Sequence, residues 1–89
     1  MKDLKSWKEL LLSEMRIRRE TLLDIEVNTL SDEEMEAEFD PDYGGTNGRP
    51  FTIWTRKTVY FPLCYDGAEW VGSVARHPDG VPTSHQGGG

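Results

Sequence analysis

Between Ser31 and Gly45 the sequence reads SDEEMEAEFDPDYGG, with seven carboxylates and no basic residue. Carboxylates at this density could ligate a hard cation, stand in for nucleic-acid phosphates, or coat the wet side of a helix. The cation reading fails on spacing. Asp40 and Asp42 are placed like the first ligands of an EF-hand loop, but its fifth position is Gly44 and its twelfth, which must supply a bidentate carboxylate, is Phe51. No metal site and no cofactor are expected.

The helical reading covers half of the charges. Ser31 with Glu34 forms a capping box, Leu30 can staple onto Met35, and Pro41 stops the segment, so a short acidic helix is expected over 31–39. Its dipole favours Asp32, Glu33 and Glu34 in the first turn. Glu36 and Glu38 approach the unfavourable end, and Asp32–Glu36 and Glu34–Glu38 are like-charge pairs four residues apart. Glu36, Glu38, Asp40 and Asp42 thus gain nothing locally, which points to a partner with a basic surface that an acidic patch would steer. Tyr43, Trp54 and Tyr60 are the expected exposed anchors, since aromatic side chains dominate binding hot spots.

Catalytic residue types are few. His77 and His85 fall in or near a turn-rich tail, Cys64 reads as a small packing residue in an apolar strand, and GGTNG lacks the lysine and preceding strand of a phosphate-binding loop. With no positioned nucleophile, acid or base, a non-enzymatic protein is expected.

The 89 residues, 36% hydrophobic with a formal charge of −6, suit one small domain over 1–76 and a flexible tail over 77–89. A single cysteine permits no intramolecular disulfide and suits a reducing compartment. The longest apolar run near the start is Leu10–Leu12, far short of the ~20 residues of a membrane span. A cytoplasmic chain with no membrane segment is expected.

Leu4, Trp7, Leu11, Met15, Leu22 and Ile25 recur at helical spacing and predict one long amphipathic helix over about 6–26, capped by Ser6 with Glu9. Arg18 falls inside that apolar stripe, where pairing with the 32–42 carboxylates would satisfy it. The period then changes to alternation in FTIWT, TVYFPLCY and EWVGSVAR, three strands of an antiparallel meander. A two-residue turn at Asp66-Gly67 sets Tyr65 opposite Ala68, Leu63 opposite Trp70, Phe61 opposite Gly72 and Val59 opposite Val74. This register gathers Val59, Phe61, Leu63, Trp70 and Val74 on one face, the expected core face under the long helix, and leaves Tyr60, Cys64 and Val71 on the other. The predicted fold is α+β: one long and one short acidic helix on a three-stranded antiparallel β-meander.

The stretch YFPLCYDGAEWVGSVARHPDG, preceded by DPDYGGTNGRPFTIWT, resembles small accessory proteins of tailed bacteriophages over residues 39–89 and, more loosely, at SWKELLLSEM. The resemblance implies a protein made in the cytoplasm of an infected bacterium that binds a host protein and inhibits or redirects it. Two other readings fit the same residues: a nucleic-acid mimic lodged in the DNA- or RNA-binding channel of a host nuclease, polymerase, restriction or CRISPR factor, and a self-associating structural protein, in the simplest case a homodimer. Direct nucleic-acid binding is not expected of a chain with a pI near 4.8.

Overall fold

Ser6, Trp7, Leu11 and Met15 begin the fold: Ser6 Oγ accepts the Glu9 N–H at 3.2 Å, and the next three, spaced by four, bury one helix face completely. The computed structural model of the chain describes residues 4–41, 48–65 and 68–85. Its elements are β1 (Lys5–Ser6), α1 (Trp7–Arg18), a 3₁₀ turn (Leu22–Asp24), β2 (Ile25–Asn28), α2 (Asp32–Glu36), β3 (Glu38–Phe39), β4 (Ile53–Thr55), β5 (Thr58–Tyr65) and β6 (Ala68–Ala75). The fold is α+β, with an antiparallel four-stranded sheet ordered β2-β4-β5-β6 and a small pair β1-β3. No helix is long and apolar enough to cross a membrane among the described residues.

The first helix is shorter than its apolar spacing predicts. It stops at Arg18 because Arg19 turns left-handed (φ 59°), the Arg19 N–H bonds Arg16 O at 3.2 Å, and the Glu20 N–H bonds Met15 O at 2.9 Å. That bond pair is a Schellman motif, here built without glycine. Both neighbours of Arg19 are tied down: Arg18 to Ser73, and Glu20 to Thr55 and Tyr60. An L-residue in this conformation costs about 1–2 kcal/mol, so Arg19→Gly is expected to stabilise the fold by up to about 1 kcal/mol after its backbone entropy is counted. A melting temperature a few degrees higher checks it; an unchanged or lower one would show that the arginine side chain contributes more than the strain removes.

Beyond Arg19 the chain leaves helix for good. Thr21 caps the 3₁₀ turn with Asp24 in a reciprocal capping box, and Ile25 enters β2. Leu22 and Ile25 therefore do not extend the α1 stripe, and the meander gains a fourth strand, paired to β4 as Ile25↔Thr55, Val27↔Trp54 and Asn28↔Ile53 with a bulge before Val27.

The second helix is also shorter than predicted. Its capping box forms as expected, Ser31 N–H to Glu34 Oε1 at 2.9 Å and Glu34 N–H to Ser31 Oγ at 3.2 Å. It ends at Glu36, before Pro41 is reached, because Glu38 and Phe39 pair with Ser6 and Lys5. That pairing carries Phe39 onto Trp7, with ring centroids 4.8 Å apart. The Glu34–Glu38 repulsion expected within a helix does not arise.

The β5-β6 register is the predicted one at every pair, including Pro62 opposite Val71; the Asp66-Gly67 turn itself lies outside the described residues. The faces are reversed. The helices cover Phe51, Ile53, Tyr60 and Val71, all buried with Trp7, Leu11, Met15, Leu30 and Met35. Val59, Phe61, Leu63, Trp70 and Val74 lie half-buried on the other side. Cys64, expected to pack, is exposed.

The physical reason is the partners of the polar residues on the covered face. Ser73, Thr55 and Thr58 are buried there, and Ser73 and Thr55 bind α1 and the residues just after it: Arg18 Nε donates to Ser73 Oγ at 2.8 Å, Ser73 Oγ donates to Glu14 Oε2 at 2.5 Å, and Thr55 Oγ1 donates to Glu20 Oε2 at 2.8 Å. A buried hydroxyl with a charged partner is stable. The face richer in apolar residues offers the helix no such anchors.

Candidate functional site

The predicted partner-binding residues do not form one surface. Tyr60 is fully buried, its hydroxyl donating to Glu20 Oε1 at 2.6 Å, so it is a core residue and not an exposed anchor. Burial first, then the hydrogen bond and the negative charge of Glu20, push its phenol well above the ordinary value. Trp54 is half-buried on the bare face of the sheet, since its neighbours Ile53 and Thr55 both point under the helices. Glu36 and Glu38 are exposed on the helical side, Asp40 is half-buried and engaged, and Asp42 and Tyr43 lie outside the described residues.

The acidic segment is partly neutralised from within. Lys8 Nζ lies 3.4 Å from Glu36 Oε1, and Arg49 Nη1 lies 2.7 Å from Glu34 Oε2. The Ser31 N–H, aided by the Ser31 hydroxyl and by Arg49, holds the Glu34 carboxyl below its ordinary value. Arg18 is not a partner of this segment: its second contact, Nη2 to Ser73 O at 3.1 Å, completes a clamp on β6. Asp32, Glu33 and Glu38 have no ion pair among the described residues, so a net negative charge remains on α2 and its flanks.

What the acidic helix adjoins is a groove of about 490 Å³. Its floor is apolar, made by Leu30 and Met35, both buried, with Ile25 half-buried and Leu22 37% exposed. Its rim is polar, with Asp32 and Glu36 on one side, Asn28 on another, and Lys8 reaching over to Glu36. The long-helix reading hid this groove, because it assigned Leu22 and Ile25 to α1. The signals that would have found it are the Thr21/Asp24 capping box and the alternation of Ile25 with Val27.

No protein-family model matches the chain, and neither a curated protein nor a solved structure is significantly similar to it. The groove must be judged by its own chemistry. An apolar floor beside surplus carboxylates accepts an apolar side chain flanked by basic ones, the floor supplying burial and the rim orientation. The Lys8–Glu36 pair is exposed and so is worth little, about 0–1 kcal/mol; an incoming ammonium or guanidinium group can displace Lys8 at small cost.

Among the described residues no group of three or more histidine, cysteine or carboxylate side chains is arranged to hold a metal ion. Glu69 is the most buried carboxylate, and it accepts the Gly48 N–H at 2.9 Å while its own N–H bonds Pro41 O at 2.7 Å. It holds the loop between β3 and β4 to the sheet.

Proposed function

We propose that the chain is a non-enzymatic binding module that docks on a bacterial host protein and inhibits or redirects it. The observation that carries this reading is the groove between α2, β2 and the 3₁₀ turn, apolar at the floor and acidic at the rim. It suits a protein segment with an apolar residue between lysines or arginines. The bacterial setting follows from the phage resemblance of residues 39–89. A nucleic-acid mimic has less support, because Glu34 and Glu36 already carry internal cations and an apolar floor has no counterpart in a phosphate backbone.

The test uses the partner recovered from host extract, measured in purified form. Asp32→Asn, Glu33→Gln and Glu36→Gln combined are expected to slow association about tenfold at low salt and to flatten its salt dependence. Leu22→Asp, on the exposed part of the floor, is expected to speed dissociation. Unchanged rates in both variants would remove the groove from the mechanism, and displacement of the protein by duplex DNA would favour the mimic.

A further inference from the structure

The four-stranded sheet ends in two unlike edges. On β6, outward-facing groups are occupied from within the chain: the Glu69 N–H bonds Pro41 O at 2.7 Å, and Ser73 O accepts from Arg18 Nη2 at 3.1 Å. On β2 the register shows which groups face outward. The Thr29 N–H bonds Thr52 O at 3.2 Å, so by antiparallel alternation Asn28↔Ile53 is a non-hydrogen-bonded pair and Val27↔Trp54 a hydrogen-bonded one. The same alternation, carried through Ile53↔Tyr60 and Tyr60↔Ser73, turns Ser73 O to the far edge, where Arg18 reaches it. The Asn28 N–H and C=O therefore point away from β4, toward an edge with no further strand among the described residues.

This edge opens on the groove beside α2. Ile25 and Asn28 line the groove, while Glu26 and Val27 share the bulge opposite Trp54 on the other face. Edge strands are ordinarily blunted by lysine or proline; β2 reads IEVN and has neither. Leu23 is 95% exposed and Val27 53% exposed along it. Carboxylates stand on both sides of Asn28, with Asp24 and Glu26 before it and Asp32 and Glu36 after it. Two such edges paired with each other would bring like charges together. The complementary occupant is an extended segment that carries lysine or arginine.

We propose that the partner's segment, apolar at its centre and basic around it, binds as an added strand, in a hydrogen-bonded pair with Asn28 at the free edge of β2. The residue in that pair projects its side chain to the same face as Asn28, into the groove, and its two neighbours project to the face of Val27. The alternation Lys-Val-Leu-Val-Lys thus lays leucine on the apolar floor and brings the lysines to the acidic rim. This inference rests on the groove reading of the proposed function and adds the backbone to it. The bulge at Glu26 keeps the added ladder short.

The probe is the synthetic peptide acetyl-Thr-Lys-Val-Leu-Val-Lys-Thr-amide, titrated into the full chain up to about 1 mM and followed by backbone amide NMR. Hydrogen exchange of the Asn28 amide is expected to slow at least about tenfold in the complex. N-methylation of the leucine removes the donor to Asn28 O without altering charge or side chains, and is expected to weaken binding at least about tenfold. N-methylation of either valine, whose N–H faces away from β2, should change binding less than about twofold. Equal effects of N-methylation at leucine and valine, or unchanged Asn28 exchange, would overturn the added strand and leave the groove as a side-chain site. Absence of binding, or binding indifferent to Leu22→Asp and Glu36→Gln in the chain, would overturn the groove reading as well. Asn28 protection that grows with chain concentration in the absence of peptide would put a second copy on the edge and reject the proposal.

Discussion

A chain carrying Trp7→Ala is expected to lose about 3–5 kcal/mol of stability, the usual cost of deleting a buried aromatic side chain. Trp7 is 1% exposed, its ring meets Phe39 and Phe51 at centroid distances of 4.8 Å each, and its Nε1–H donates to Arg49 O at 2.9 Å. Removal opens a cavity where α1, the β3 strand and the segment before β4 converge, and it leaves the Arg49 carbonyl without that donor. An 89-residue domain has roughly 4–13 kcal/mol in all at the typical 0.05–0.15 kcal/mol per residue. The loss is therefore a large share of the fold's margin, and urea unfolding should show a clearly lowered midpoint.

Gly48 tests the same junction from the opposite side. A Cβ built there would stand 2.7 Å from Trp7 Cε2 and 2.9 Å from Phe39 Cζ. Both contacts are rigid aromatic atoms packed in the core, so Gly48→Ala must push the rings apart and destabilise. Combined with Trp7→Ala the contacts to Trp7 disappear and only the one to Phe39 Cζ remains, so the double variant should be more stable than the sum of the two losses. Simple additivity in unfolding free energy would show that Gly48 and Trp7 do not share this space.

The second large effect is alkaline. Tyr60 donates its hydroxyl to the Glu20 carboxylate from a fully buried position, and both burial and that charge oppose phenolate formation. The unfolded chain releases this proton around the ordinary value of 10.0, whereas the folded chain retains it to higher pH. The folded state then binds more protons, so stability falls as pH rises above 10, by up to about 1.4 kcal/mol per pH unit from this one group. Tyr60→Phe is expected to cost about 1.5–3 kcal/mol at pH 7, through the lost hydrogen bond to a charged acceptor, and to remove its share of the alkaline slope. Urea unfolding of both chains at pH 7, 10 and 11 measures the difference. Parallel stability curves between pH 10 and 11 would show that the phenol titrates alike folded and unfolded.

These effects share an origin that local sequence hides. Glu20 looks like one more charge at the end of a helix, yet it takes hydrogen bonds from Tyr60 and Thr55, 40 and 35 residues away. Arg18 lies between Met15 and Leu22 in the sequence stripe, where a nearby acidic run was the obvious partner. Its partner is Ser73, 55 residues on, because the helix axis sets that side chain over β6. Long-range contacts of this kind decide which face of a sheet is covered, and counts of apolar residues do not register them.

Periodicity and capping chemistry in the sequence determined much that is local: the start and buried face of α1, the capping box of α2, the meander of β4, β5 and β6, and the pairing of β5 with β6 residue by residue. Each depends on neighbours a few positions apart, or on a tight turn that transmits register directly. Only the tertiary structure decided where both helices end, that Ile25–Asn28 is a strand, and that the helices lie on Tyr60 and Val71 while Trp54, Phe61 and Trp70 stay bare. Those outcomes balance the left-handed strain at Arg19 against anchors on Ser73, Thr55 and Tyr60, and α2 against the packing of Phe39 on Trp7. The expected single binding surface was divided by the same balance into an acidic groove, an apolar sheet face and a buried tyrosine between them.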